Sequence, residues 1–210
     1  SEPDEEGMCS FGNACCFSEP AARTADRIIA QINPKMPTLG GKKISLDKID
    51  YIVPAESGLY TIGRAEIDAR TQTIADYVAE LVEDGATIQL GIGALPDAIA
   101  RNLMDKKDLG VHSETLTEAM MELVQAGVIN NSKKTLNPGI CIGAQAAGSE
   151  KFYEFIDHHP LFAVYPVDYV NNPYVVGQNY KQTSINSCME VDLKGQVNSE
   201  TVGGRQYSGI

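Results

Sequence analysis

No run of apolar residues in this 210-residue sequence approaches the roughly 20 needed to cross a bilayer, and no stretch reads as a signal peptide. Positive charge is also scarce: 17 Lys and Arg stand against 28 Asp and Glu, a formal net charge of −11. A surface for nucleic acid or anionic lipid needs a cationic footprint, so the balance argues against both partners and against membrane association. It does not argue against a phosphorylated ligand, because a helix N-terminus and a few local Lys or Arg bind phosphate on an acidic protein. No CxxC pair occurs among the five cysteines, Cys9, Cys15, Cys16, Cys141 and Cys188. The three histidines, His112, His158 and His159, are far in sequence from the Cys9–Cys16 cluster. An odd count without metal-ligand spacing predicts reduced thiols in a cytoplasmic protein and no metal site.

What is present is an ordinary globular composition, 43 % hydrophobic and 21 % charged, long enough for one large domain or one and a part. The acidic, turn-rich opening "SEPDEEGMCSFG" and the closing glycine loop "GGRQYSGI" both read as cut from something longer. "EPAARTADRIIAQIN" predicts a short helix running into a strand with Ile28 and Ile29 buried. "PKMPTLGGKK" predicts a loop, and "ISLDKIDYIVP" a short strand ending at Pro54. After a linker over 55–65, Ile67, Ile74, Val78 and Leu81 recur at helical spacing, with Gly85 as the stop. Strands and helices then alternate: "ATIQLGIG", "PDAIARNLM", "LGVHS", "TEAMMELVQAG", "GICIGA", "KFYEFIDHH", "LFAVYPV" and a long strand in "TSINSCMEVDL". That alternation predicts an α/β fold, a mainly parallel open sheet with flanking helices.

Two segments carry candidate chemistry. In "TIQLGIGALPDAIARNL" a strand runs through Gly91 and Gly93 into a helix expected to begin at Pro96, where a missing N–H costs nothing. Amides of such a turn can face an anion or a developing oxyanion, although the spacing is not the dinucleotide fingerprint, and a plain tight turn fits equally. In "DLGVHSETL" the carboxylate of Glu114 falls where a strand should end, at the ligand edge of a parallel sheet. It could act as a nucleophile toward an activated acyl group. The plainer reading is a helix N-terminal acid favoured by the macrodipole, with Ser113 as the cap. His112, two residues earlier, could orient that carboxylate, contact substrate, or be a buried hydrogen-bonded histidine. Glu190 is the rival acid on a predicted strand face, and the lysine pairs at 106–107 and 133–134 read as solvated.

Together "LGIGALPDA", "LGVHSE", "YPVDYVNNP", "SINSCMEVDLKGQV" and "RQYSGI" resemble the acetyl-CoA hydrolase/transferase family, most of all its 4-hydroxybutyrate and butyrate–acetate CoA-transferase members. The resemblance implies two related α/β lobes with the active site between them. Residues 1–60 would then end an N-terminal lobe, and 61–210 would be most of the first part of a C-terminal catalytic lobe. It implies a ping-pong transfer of coenzyme A between an acyl-CoA and a small carboxylate, with Glu114 as nucleophile. It places Asn171 and Gly209 at the acyl site, and Gly91, Ile92, Gly93, Ala94, Leu95 and, less directly, Ser184 against CoA. It also implies a homo-oligomer, a dimer, for the full-length protein. An acyl-CoA hydrolase differs only in letting water resolve the intermediate. A non-catalytic CoA-binding or assembly module is the reading from a different class.

Overall fold

Thr87, Ile88 and Leu90 are all at most 2 % exposed, so the strand they form is covered on both faces. Strands buried in that way belong to parallel sheets flanked by helices. A computed structural model describes residues 1–207 and bears out this architecture; Gly209 lies outside the described residues. The first quarter contains β1 (Met8–Ser10), α1 (Ser18–Thr24), β2 (Ile29–Ile32), β3 (Gly40–Gly41), β4 (Lys43–Ser45) and β5 (Tyr51–Pro54). Then come α2 (Ala69–Leu81), β6 (Thr87–Leu90), α3 (Ala94–Arg101), β7 (Gly110–Val111), β8 (Thr115–Thr117) and α4 (Glu118–Gln125). Next are β9 (Cys141–Gly143), β10 (Gln145–Ala147), α5 (Glu150–Ile156), β11 (Phe162–Val164), α6 (Val167–Val170), α7 (Pro173–Val176) and β12 (Gln182–Ile185). Two hairpins follow, β13 (Glu190–Val191) with β14 (Val197–Asn198), and β15 (Thr201–Val202) with β16 (Arg205–Gln206).

Two three-stranded parallel sheets, β12-β6-β7 and β3-β11-β9, are joined by a parallel bridge between His112 and Ile142. The resulting order is β12-β6-β7-β9-β11-β3. The β7 and β9 segments run side by side a second time as β8 and β10, again in parallel. Helices α4 and α5 cover the sheet with Met120, Met121, Leu123, Phe152 and Ile156, which pack on Ile88, Leu109, Val111, Leu116 and Phe162. Each such side chain stabilises the fold by roughly 1.5–3 kcal/mol through removal from water.

The helix expected from Ile67, Ile74, Val78 and Leu81 is present as α2, which buries Ala75 and Ala79, packs Val78 against the core and leaves Ile74 and Leu81 at 42 % and 78 % exposure. Small residues let α2 sit close on α3, where Gln72, Asp76 and Asn102 hydrogen-bond across the contact. Several other expectations give way to packing. Ile29 is not buried but 69 % exposed, because β2 pairs only with β5 in a separate two-stranded sheet. The segment read as a loop over 34–43 contributes β3, which pairs with β11; two glycines give no strand signal in the sequence. "ISLDKIDYIVP" forms two strands separated by a 3₁₀ turn, Leu46–Lys48, capped by Ser45. The long strand read in "TSINSCMEVDL" stops at Ile185, where the Asn186 amide turns to exchange two hydrogen bonds with Gln89, at 2.9 and 3.0 Å.

Candidate active site

The register of β6 with β7 pairs Thr87 with Gly110 and Ile88 with Val111. Continued two residues, it sets Leu90 beside Ser113, so that Gly91 and Glu114 are the next residues on their strands. The hydroxyl of Ser113 donates to the carbonyl of Leu90 at 3.1 Å and fixes that alignment. The glycine turn and the acid therefore leave the sheet together at its carboxyl edge, where open α/β sheets bind ligands. Helix α3 starts at Ala94 rather than at Pro96, with Gly93 ahead of it at φ 121, a conformation that favours glycine. Pro96 occupies the third helical position, still within the first turn, where N–H groups have no intrahelical partner. A side chain at Gly93 would meet nothing within 4 Å, so open space lies beside the turn.

Glu114 is the one exposed residue between Leu109 and Thr117; all its neighbours in that stretch are buried. It sits where the chain leaves β7 and enters β8. Its carbonyl accepts from two amides of the neighbouring segment, Ala144 N at 2.8 Å and Gln145 N at 3.0 Å. The backbone is thus clamped while the side chain faces outward. The helix-cap reading fails: α4 begins at Glu118 behind Thr117, and β8 separates Glu114 from it. The carboxylate Oε2 accepts from Asn171 Nδ2 at 2.7 Å. Asn171 closes α6, its own N–H bonded to Val167 O at 2.9 Å, and Val167 N is bonded to Cys16 O at 3.0 Å. Separate stretches of chain therefore fix Glu114: 144–145 hold its backbone carbonyl, and Asn171, on a helix tied to Cys16, holds its carboxylate. Burial first, and the negative charge of Glu114 second, push the Cys16 thiol above its ordinary range, so it stays protonated.

Residues 148–210 match the acetyl-CoA hydrolase/transferase C-terminal domain. The whole chain is 48 % identical to the 4-hydroxybutyrate coenzyme A transferase of Clostridium kluyveri, covering 49 % of that protein. The crystal structure of a 4-hydroxybutyrate CoA-transferase from Porphyromonas gingivalis superposes with a TM-score of 0.89 at 40 % identity, over 93 % of this chain and 50 % of that one. The chain belongs to the acetyl-CoA hydrolase/transferase family. It spans about half the length of the curated relatives it matches. An acetyl-CoA hydrolase of Candida albicans is also similar, at 23 % identity.

The other residues that the family resemblance singled out fall in different places. Gly91 to Gly93 form the turn that follows β6, with Ile92 52 % exposed, and Ala94 and Leu95 are the first two residues of α3, at the sheet edge that also carries Glu114. Ser184 lies on β12 in register with Gln89, exposed at the same sheet edge but two strands from β7. Glu190 belongs to the separate β13–β14 hairpin, with Asn198 Nδ2 bonded to its Oε2 at 3.0 Å. Among the described residues no group of three His, Cys, Asp or Glu is placed to hold a metal ion, and no helix is long and apolar enough to cross a membrane. Cys15 and Cys141 are buried in the core, and burial pushes their thiols up to about 12 and about 11.

The residue that the sequence pattern hid is Lys134. It is not solvated but 5 % exposed, and its ammonium donates to Val111 O at 2.7 Å and Ile140 O at 2.6 Å. The neighbouring Asn131 Oδ1 accepts from Val111 N at 2.9 Å. Two side chains thus satisfy both backbone groups of Val111 three residues before Glu114. Desolvation lowers the Lys134 ammonium to about 8. Its stem passes over Gly110, where a Cβ would lie 2.4 Å from Lys134 Cγ and 2.9 Å from Cδ. Gly110→Ala is therefore expected to displace a buried, doubly bonded side chain and destabilise the protein by roughly 1–3 kcal/mol. Urea denaturation midpoints measure this, and an unchanged midpoint would contradict the packing described.

Proposed function

We propose that the protein containing this chain is a CoA-transferase that moves CoA between an acyl-CoA and a small carboxylic acid of acetate, butyrate or 4-hydroxybutyrate type. The observation that carries the reading is Glu114 itself, an exposed carboxylate on a clamped backbone, held by Asn171 at the sheet edge where the Gly91–Gly93 turn leads into α3. The carboxylate attacks the thioester carbonyl and expels CoA thiolate, leaving an acyl-glutamyl anhydride. The thiolate then attacks the glutamyl carbonyl, releases the first carboxylate and leaves a glutamyl-CoA thioester. A second carboxylate reverses the two steps and departs as the new acyl-CoA.

Each group in the site has a role in that sequence. Asn171 Nδ2 orients the attacking carboxylate and donates to the oxygen on which charge develops. The turn amides and the start of α3 meet the acyl-CoA thioester side of the site, and Ser184 contacts CoA further along the edge. Gly209 would approach the thioester through its backbone. Residues 1–60 close a preceding lobe, and 61–210 form most of the first part of the catalytic lobe. The full-length protein works as a cytoplasmic homo-oligomer, a dimer.

An acyl-CoA hydrolase would use the same carboxylate with water as the final acceptor. The 48 % identity to a CoA-transferase, against 23 % to a hydrolase, favours the carboxylate acceptor. Adding acetate to an acyl-CoA assay of the full-length protein tests it. Acetyl-CoA formation that rises with acetate while free CoA stays low is expected, and free CoA production indifferent to acetate would contradict it.

A further inference from the structure

The imidazole of His112 is 2 % exposed, and its Nε2 lies 2.9 Å from the carbonyl oxygen of Val170. A carbonyl only accepts, so Nε2 carries the proton and donates. Nδ1 is buried with no hydrogen-bond partner, which leaves it as the bare ring nitrogen. Burial first, and the charge of Lys134 in addition, push the imidazole below the ordinary histidine range, so it is neutral at pH 7. A neutral ring with one nitrogen engaged and the other sealed in the core has no free nitrogen to offer a substrate. It can serve only as a fixed donor.

What that donor holds is informative. Val170 closes α6, a four-residue helix whose last carbonyls have no intrahelical donors left to receive. The next residue is Asn171, whose amide grips Glu114 at 2.7 Å. Following bonds alone, the path runs from His112 through Ser113 to Glu114, across to Asn171, back along the chain to Val170, and across to His112. His112 is also tied to the sheet, its N–H bonded to Ile88 O at 3.1 Å and its backbone bridged to Ile142. The ring of the neighbouring Tyr169 packs at 6.0 Å from the imidazole.

We propose that His112 is a positioning residue which, through the carbonyl of Val170, fixes the Asn171 amide against Glu114. The inference rests on the reading of Glu114 as nucleophile. An apolar ring in its place leaves Val170 O without its donor and frees the end of α6 to drift, and small misplacements of reacting groups cost about 10²-fold in rate.

The test is steady-state transfer kinetics of the full-length protein carrying His112→Phe, His112→Gln, Asn171→Ala and the His112→Phe/Asn171→Ala double change, with Glu114→Ala as control. His112→Phe is expected to lower kcat about 10- to 100-fold with the KM for acyl-CoA within about twofold. His112→Gln, whose terminal amide reaches the same carbonyl, is expected to recover most of that loss. His112→Phe is expected to add little once Asn171 is Ala, because His112 acts only through the Asn171 amide. If His112→Phe does not fold, His112→Asn replaces it, its amide one bond too short for Val170. Equal losses in the Gln and Phe (or Asn) variants, or strictly additive losses in the double variant, would overturn the positioning role. Wild-type kcat in His112→Phe beside an inactive Glu114→Ala would overturn it too, while leaving the nucleophile intact. Full activity of Glu114→Ala would instead sink the nucleophile reading and the inference with it.

Discussion

Glu114→Ala is expected to lower transfer by at least ~10⁴-fold, while Glu190→Ala keeps activity within a few fold. The first figure corresponds to roughly 5.4 kcal/mol of transition-state stabilisation, the scale expected when a covalent route is removed and no neighbouring group replaces it. Two side chains that interact with Glu114 do not replace it: Cys16 is held as a thiol, and Asn171 is an amide. Glu190 belongs to an exposed hairpin with Asn198 as its partner, outside the convergence of segments at Glu114. The alanine variant should fold, because Glu114 is exposed and its backbone carbonyl keeps both amides. Matched circular dichroism and melting curves beside the kinetics separate a lost nucleophile from a lost fold. Comparable losses in both variants would contradict the assignment.

Asn171→Ala is expected to lower kcat by about 10²- to 10³-fold, the cost of removing one preorganised donor from a developing oxyanion. Asn171 also fixes which oxygen of Glu114 is held and which is free to attack, so the loss should fall on kcat more than on the KM for acyl-CoA. Asn171→Asp is the sharper form of the test. It sets a second carboxylate against the first, which disfavours the ionised form of the pair and moves the acid limb of the pH–rate profile upward. Kinetics from pH 5 to 9 on both variants measure this. A profile for Asn171→Asp that overlays the wild type would mean that the 2.7 Å contact has no part in catalysis.

Much of this arrangement was legible in the sequence, for physical reasons that can be named. A run such as Thr87–Leu90, closed by glycines and followed by a helical period, reads as a strand of a parallel sheet because burial on both faces demands it. The carboxyl-edge placement of Glu114 and of the 91–95 turn follows from that topology. Spacing could not separate nucleophile from helix cap, because the segment that separates them, Thr115–Thr117, has only three residues and no period to read. Its partner strand, Gln145–Ala147, is equally short. Lys134 was hidden for a different reason: a lysine buried on two carbonyls has the same letter as a solvated one, and its only trace is a strand glycine at 110. The helical period of α2 was legible, but not which of its residues pack: Val78 meets the core while Ile74 and Leu81 stay exposed, because close packing on α3 selects Ala75 and Ala79. The grip of Asn171 on Glu114 spans 57 positions of sequence, a separation at which no local pattern operates.

The most direct test of the account is mass spectrometry of the full-length protein incubated with an acyl-CoA, with and without borohydride reduction, followed by peptide mapping. A CoA adduct of the intact protein, lost on adding a carboxylate acceptor, is expected, with reduction converting the side chain of Glu114 to an alcohol. A label on Glu190, on a cysteine, or on no residue at all would contradict it.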